Sequence, residues 1–486
     1  MTYRLSKSRI AAFEQCPRKL WLMTHMPHLA EPQDDAAERF AAGHAVGAEA
    51  CEQCLGGVMV DAIPDLSAAI ATTRALLDAG QRQPIFEATF QHDNVLVRCD
   101  ILQPEGEDGW HLVEVKSSTK AKSEHLRDLA TQVWVARGAG LRIVRASIRH
   151  LNSDFVLKRA GDYSGLFRDT EVLAEIEPLI ADRPVVVGSA VAMLCEAEPV
   201  CATGKHCKKP YPCEFQGYCR SQEPDRPEWP VTILIHRGAD AFVRKGITDL
   251  VAVEPSEIAS PINRRIHRAT ITGTLEHDAV GAAATMATWA YPRIWLDFET
   301  ISDAIPRWPD CWPYRQATFQ FSAQIEADGG AITPHAFLSF DSDPRRACAE
   351  ALARLPTEGA VIAWNAEFER KRLIELAGDF PDLAAALGSL AQRVVDLLPV
   401  AKAHWYHRDQ RGSWSIKAVL PTIAPDLSYE DLTVANGSDA QAAYRRAICP
   451  DASETERREI ARSLLEYCER DTKAMMVIAQ RLGGAH

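Results

Sequence analysis

The sequence predicts an α/β protein: two mixed modules joined by a short helical segment. Three observations carry this. Alternating apolar runs at 84–90, 94–102, 110–116 and 141–150 read as strands, because residues two apart share a strand face, and a helical period at 124–138 lies among them. Downstream, the strand RIWLDFET and the amphipathic helix SETERREIARSLLEYCERDTKAMMVIAQRL repeat the mixture. With 486 residues, 47% apolar and 25% charged, the chain is too long for one ordinary core and apolar enough to fill several.

Composition shifts set the expected boundaries. A Cys/Pro-rich stretch ends near Cys219, the segment SQEPDRPEWP is rich in proline, and the Ala/Gly-rich run AVGAAATMATWAYPR precedes a strand at Ile294. They predict a module over 1–222, a helical linker over 223–290 and a second module over 291–486. Inside the linker, FVRKGITDLVAV has the pattern of a helix-turn-helix connector with Gly246 at the turn.

A net charge of -12 argues against a protein that coats nucleic acid by bulk electrostatics, but suits sites in which carboxylates hold divalent metals. The opening MTYRLSKSRIAAFEQC has no apolar stretch behind its basic residues, and no apolar run reaches membrane-spanning length. A cytoplasmic protein without a membrane partner is expected. Thirteen cysteines, an odd number, argue for reduced thiols and a metal or cluster site over a disulfide framework, and their crowding between Cys195 and Cys219 marks the place.

In VLVRCDILQPEGEDGWHLVEVKSS, Asp100 ends one strand while Glu114 and Lys116 share a face of the next. Brought together, two carboxylates hold Mg²⁺ or Mn²⁺ and the lysine orients or activates a water, the working unit of phosphodiester cleavage. An E-V-K triplet alone is common on exposed strands. Glu87 in PIFEATF adds an acid upstream, and Gln132 lies on the helix DLATQVWV downstream. This order of acid, Asp, Glu-x-Lys and helical Gln resembles the PD-(D/E)XK nucleases of the RecB-like group, which includes CRISPR adaptation nucleases and the helicase-nucleases of recombination. The resemblance implies a PD-(D/E)XK fold with Asp100, Glu114, Lys116 and Gln132 catalytic, and Glu87 beside Asp100 and Glu114 at the metal.

The opening SKSRIAAFEQCPRKLWL and the run HCKKPYPCEFQGYC are similar to the segments that hold a 4Fe-4S cluster in iron-sulfur members of this group. That similarity implies Cys16, Cys207, Cys213 and Cys219 as ligands, clasping the module's two ends. Four thiolates also suit zinc, although these cysteines lack close knuckles and Cys51/Cys54 is the one CxxC pair, so zinc and uncoordinated thiols stay open. Cys195 and Cys201 are nearby spares, and Cys99, Cys311, Cys348, Cys449 and Cys468 read as small buried hydrophobes. Two positions depart from the group's pattern: Gly47 stands where a metal-binding histidine is common, with His44 a turn away, and Val135 replaces an aromatic.

In the second module, Asp297 and Glu299 share one strand face and can bridge two divalent metals. AVIAWNAEFERKRL carries Asn365 and Glu369 from a strand into a helix, and LLEYCERDTKAM sets Tyr467 and Asp471 one helical turn apart. Separately these are ordinary cap, core and surface residues. In this order they resemble the DEDD exonucleases, an RNase H-like group that includes polymerase proofreading domains. The resemblance implies an RNase H-like mixed sheet flanked by helices. It implies Asp297, Glu299 and Asp471 as metal ligands, Tyr467 as the water-positioning group of the tyrosine subgroup, and Glu369 in a place usually held by aspartate. Asp396 in RVVDLLPV competes with Glu369 as the fourth acid.

The pattern PRIWLDFETISDAIPRWPD followed by PYRQATFQFSAQ is similar, over nearly the whole chain, to a bacterial family of uncharacterised proteins that fuses a RecB-like iron-sulfur module to an RNase H-like one. The expected function is metal-dependent hydrolysis of nucleic acid, DNA favoured over RNA, from a 3' end in the second half and at a RecB-like nuclease site in the first, in repair or defence. The alternative is a nucleic-acid binding protein with decayed sites and a structural Fe-S or zinc centre, favoured by Gly47, Val135 and Glu369.

Overall fold

The computed structural model describes residues 4–32, 36–63, 65–80, 82–224 and 226–484. The chain is mixed α/β and divides into two compact units, Met1–Pro224 with Asp303–Arg315, and Asp225–Ser302 with Gln316–His486. Among the described residues, no helix is long and apolar enough to cross a membrane.

The first unit opens with β1 (Leu5–Ser6), α1 (Lys7–Gln15), α2 (Pro17–His25), α3 (Ala36–Glu52), β2 (Val58–Met59) and α4 (Leu66–Asp78). The strands expected from alternation come next as β3 (Ile85–His92), β4 (Val95–Glu105) and β5 (Gly109–Lys116), then α5 (Ser123–Gly138), β6 (Ile143–Leu151), β7 (Phe167–Glu171), α6 (Leu173–Leu194) and α7 (Gln216–Ser221). The sheet runs β2-β3-β4-β5-β6-β7, with β1 pairing β4 in parallel. Asp93 and Asn94, both at positive φ, make the tight turn between β3 and β4, where short polar side chains tolerate the left-handed region. β5 and β6 are parallel, so the chain must cross over between them, and α5 is that crossover. It buries Leu129, Ala130, Val133 and Val135 in a core shared with Leu112, Ile148 and Ile176.

The second unit adds α8 (Asp240–Arg244), α9 (Pro261–Thr272), β8 (Glu276–His277), α10 (Ala279–Met286), β9 (Arg293–Ile301), β10 (Ala317–Glu326), β11 (Ile332–Leu338) and α11 (Arg345–Leu352). It continues through β12 (Val361–Ala363), α12 (Glu367–Asp379), α13 (Ala384–Gln392), β13 (Val394–Asp396), α14 (Leu397–His404), β14 (Trp405–Tyr406), α15 (Ile416–Val419), α16 (Gly437–Ala447) and α17 (Glu454–Leu482). Its main sheet runs β11-β10-β9-β12-β13, with β9 antiparallel to β10 and parallel to β12. Ile294, Leu296 and Phe298 on β9 enter a core with Phe321, Val361, Leu373 and Leu387. Ser453 caps α17 by accepting the Glu456 N–H, as a helix start requires.

Two local expectations are corrected. Gly246 does make a turn at positive φ, but Leu250–Ala252 beyond it is a 3-10 turn, so no second helix of a helix-turn-helix forms. Asp249 caps that turn and Pro255 lies too close for an α-helix to propagate. Cys449 is half-buried, with its thiol donating to the Arg445 carbonyl, whereas Cys99, Cys311, Cys348 and Cys468 are buried.

Candidate functional sites

In the second unit, Asp297 and Glu299 on β9 meet Asp471 on α17, with a carboxylate oxygen from each lying within 4.8 Å of the others. Two buried contacts bring the helix there: Gln320 Nε2 donates to the Leu464 carbonyl at 2.7 Å, and Ser322 Oγ lies 3.0 Å from Thr472 Oγ1. Ser322 is the register partner of Asp297, so the polar pair fixes α17 beside the acidic strand. Burial, then repulsion from Asp471, pushes Glu299 up to about 8. Asp297 is raised well above its ordinary value by burial and by Asp471, Glu299 and Glu369. Hard oxygen donors that resist ionising together are the set a divalent cation stabilises, so these residues fit Mg²⁺ or Mn²⁺.

Glu369, on α12, is buried and is pushed up to about 8 by burial and by nearby Asp396. Its Oε2 has no hydrogen-bond partner among the described residues. Asp396 instead accepts the Asn365 N–H at 3.0 Å and caps α14 through the Leu398 N–H at 2.9 Å. Asn365 sits at positive φ and is not the cap of α12, which is Ala366. Tyr467 is buried at the acidic group, and that burial, with Asp471 close by, raises its pKa.

Three further residues at this site carried no signal strong enough to be singled out from sequence. Tyr429 donates a 2.5 Å hydrogen bond to Asp471 Oδ1. Lys417 Nζ stands 5.1 Å from the Tyr429 ring centre and 5.4 Å from that of Tyr467, and its charge favours ionised Glu299 and Asp471. Cys468, expected as mere filler, directs its thiol at Asp297 Oδ2 at 3.6 Å.

In the first unit, the β4–β5 register pairs Ile101 with Val113, and Asp100 and Glu114 are the residues next to that pair on the two strands. Asp100 Oδ2 accepts the Val115 N–H at 2.7 Å, and burial together with the Glu114 charge raises its pKa to about 7. Lys116 Nζ lies 2.8 Å from Glu114 Oε1 and 2.9 Å from Asp128, while Gln132 donates to Glu114 Oε2. Lys7, unremarked in the sequence, also donates to Glu114 Oε1 at 2.6 Å. Burial disfavours the Glu114 charge, but the two lysines and Gln132 outweigh it and hold its pKa low. Glu114 thus accepts three donors, two of them ammonium groups. The β3–β4 register pairs Phe86 with Ile101 and Ala88 with Cys99, while Glu87 between them sits at positive φ and pairs with Arg98 at 3.1 Å. His44 is exposed on α3.

Cys16, Cys207, Cys213 and Cys219 line a single pocket together with Cys201 and His206. Cys16 lies at the junction of α1 and α2, Cys219 on α7, and the Cys213 N–H donates to the Cys207 carbonyl at 2.9 Å. Cys201 Sγ is 3.6 Å from Cys16 Sγ and 3.6 Å from His206 Nε2, and these three converge as a second group able to hold a metal. Burial and neighbouring thiols push Cys201 up to about 11. Cys219 is pushed equally far by burial, with Arg18 opposing and Cys213 adding. Soft donors crowded so that ionisation needs a compensating cation fit an iron-sulfur cluster or zinc. Cys195 is exposed, and Cys54 accepts from Arg149 and Gln103, each at 3.4 Å.

Residues 294–415 match the family described as "Domain of unknown function (DUF2779)", a span that contains Asp297, Glu299, Glu369 and Asp396 but ends before Tyr467 and Asp471. Over 209 residues the chain is 24% identical to "Uncharacterized protein UU173" of Ureaplasma parvum, covering 38% of this chain and 30% of that protein. Over 207 residues it is 24% identical to "Uncharacterized protein MG366 homolog" of Mycoplasma pneumoniae, covering 38% and 31%. The match thus spans about a third of these relatives' length. The solved structure described as "Crystal structure of SSO0001" is 13% identical, covers 46% of this chain and 87% of that one, and has a TM-score of 0.22, which assigns no fold. In its β9–α14 region the chain is therefore similar to a sequence family defined without an assigned task.

Proposed function

We propose that this protein is a metal-dependent nuclease that hydrolyses phosphodiester bonds at the Asp297/Glu299/Asp471 centre, in an RNase H-like DEDD-type unit acting from a 3' end. The observation that carries the reading is the convergence of these three carboxylates from β9 and α17, with Tyr467 against Asp471 and the unpartnered Glu369 oxygen nearby. Bound Mg²⁺ or Mn²⁺ supplies Lewis-acid stabilisation of the oxygens whose bonds form and break. The chain's own residues do the rest. Asp297, Glu299 and Asp471 hold the cations, and Tyr429 orients Asp471. Tyr467 presents a phenolic hydroxyl whose pKa is raised by burial and by nearby Asp471, so it stays protonated and donates to an incoming water. Lys417, exposed on α15, meets the phosphate backbone.

The first unit completes the reading as a RecB-like module closed by a 4Fe-4S cluster on Cys16, Cys207, Cys213 and Cys219, supported by their shared pocket. The preferred substrate is DNA, and the place of action is the cytoplasm. Incubating 5'-labelled single-stranded DNA and RNA with Mn²⁺ tests the reading: a 3'-to-5' ladder lost in Asp297→Ala supports it, and no cleavage of either polymer by folded protein refutes it. The second reading is a nucleic-acid binding protein with an impaired centre, favoured by glutamate at 369, whose extra methylene displaces the carboxylate. It is supported if the strand is bound and left intact.

A further inference from the structure

The first unit's carboxylate pair is built around an ammonium group where a metal ion would sit. Lys7 begins α1, and its position is set by several anchors. Leu5 and Ser6 pair with Val95 and Leu96 at the start of β4, and Ser6 caps α1 by accepting the Arg9 N–H at 3.3 Å. Farther along α1, Glu14 is ion-paired at 3.0 Å with Arg183, which is buried on α6. A helix held at both ends delivers the Lys7 side chain to Glu114 Oε1 at 2.6 Å, with Asp100 also attracting it. It is not a loose surface lysine: its side chain is 24% exposed, against 1% for Glu114.

We infer that the Lys7 ammonium serves as the resident cation of the Asp100/Glu114 pair, so that this site admits a divalent ion only when Lys7 is withdrawn. Two arguments support it. Glu114 Oε1 accepts both Lys7 and Lys116 while Oε2 accepts Gln132, which fills three of the roughly four lone-pair sites of that carboxylate and both of those on the oxygen that faces Lys7. Charge points the same way. Asp100, Glu114 and Asp128 already face Lys7 and Lys116, and a divalent ion placed against Glu114 would lie at contact distance from an ammonium in a low-dielectric setting, where like charges repel strongly. The site therefore differs in kind from Asp297/Glu299/Asp471, whose acids converge and in which Lys417 makes no ion pair with them among the described residues.

The test counts metal ions and does not depend on nuclease activity, so its failure is separable from failure of the proposed function. In full-length protein carrying Asp297→Ala and Glu299→Ala, Mn²⁺ is titrated and free Mn²⁺ monitored by electron paramagnetic resonance. With Lys7 intact, no Mn²⁺ site sensitive to Asp100→Asn is expected. Lys7→Met should create one site per chain that the parent lacks, abolished by adding Asp100→Asn. Lys7→Arg, which keeps the charge, should stay like the parent. A Mn²⁺ site in the Lys7 parent that Asp100→Asn removes would overturn the inference, and so would a folded Lys7→Met protein that gains none. Should Lys7→Met fail to fold, Lys7→Gln and the Asp100→Asn comparison in the parent still decide it.

Discussion

The hydroxyl of Tyr429 donates a 2.5 Å hydrogen bond to Oδ1 of Asp471, joining the loop after α15 to the acidic face of α17. Burial raises the Asp471 pKa, and the hydrogen bond from Tyr429 together with the Lys417 charge opposes that rise by favouring the ionised form. Tyr429→Phe keeps the ring and removes the donor. A hydrogen bond to a charged group contributes about 1.5–3 kcal/mol, so Mn²⁺ binding at the second-unit centre should weaken by up to roughly 10- to 100-fold and Tm should fall by several degrees. Calorimetric titration of the variant checks it.

Metal binding at this centre should depend on pH in a stated direction. Glu299 has an ordinary value of 4.5 and is pushed up to about 8 in the fold. The unfolded chain ionises it first, so metal-free protein loses stability as pH rises from about 4.5 to about 8, and the loss is complete above that. A cation must displace the proton, so apparent Mg²⁺ affinity should rise across the same window and level off beyond it. Titrations at several pH values check this, and Glu299→Gln should flatten the rise.

Lys417 lowers the pKa of both Glu299 and Asp471 from its place beside the two tyrosine rings. Lys417→Met removes that help. The acid limb of the pH-rate profile should move to higher pH by a few tenths of a unit to about one unit, and Lys417→Arg should restore most of it. A lysine that merely packed on the rings would leave the profile in place.

Removing the thiol ligands should destabilise the first unit alone. A metal or cluster that ties Cys16 to the Cys207–Cys219 segment adds its binding free energy to folding, and losing several kcal/mol lowers Tm by roughly 10 °C. Cys207→Ser should bleach the visible absorption of an iron-sulfur protein and lower the first unfolding transition, while Mn²⁺ binding at Asp297 persists. A colourless wild type containing zinc would assign zinc to the pocket instead.

Much of the fold was legible in local sequence. Strand alternation located β3 to β6 within a few residues, and the helical period located α5 and α17, because each pattern records which face of an element is apolar. The placing of Asp100 and Glu114 on neighbouring strands, and of Tyr467 and Asp471 one turn apart, comes from the same short-range geometry. The expected second helix after Gly246 did not form, since a turn glycine marks a break in the backbone without specifying the conformation of the residues beyond it.

By itself, then, the sequence determined the mixed α/β character, the strands and helices that carry the acids, and the grouping of late cysteines before Cys219. Tertiary structure alone decided that Tyr429 and Lys417 reach the Asp471 face, that Cys468 turns its thiol to Asp297, that Cys201 and His206 join the thiol pocket, and that Lys7 holds Glu114. The physical reason is one of range. Periodicity tells a residue which side of its own element it occupies, whereas the groups opposite that side come from segments far away in the chain, and only packing chooses among them.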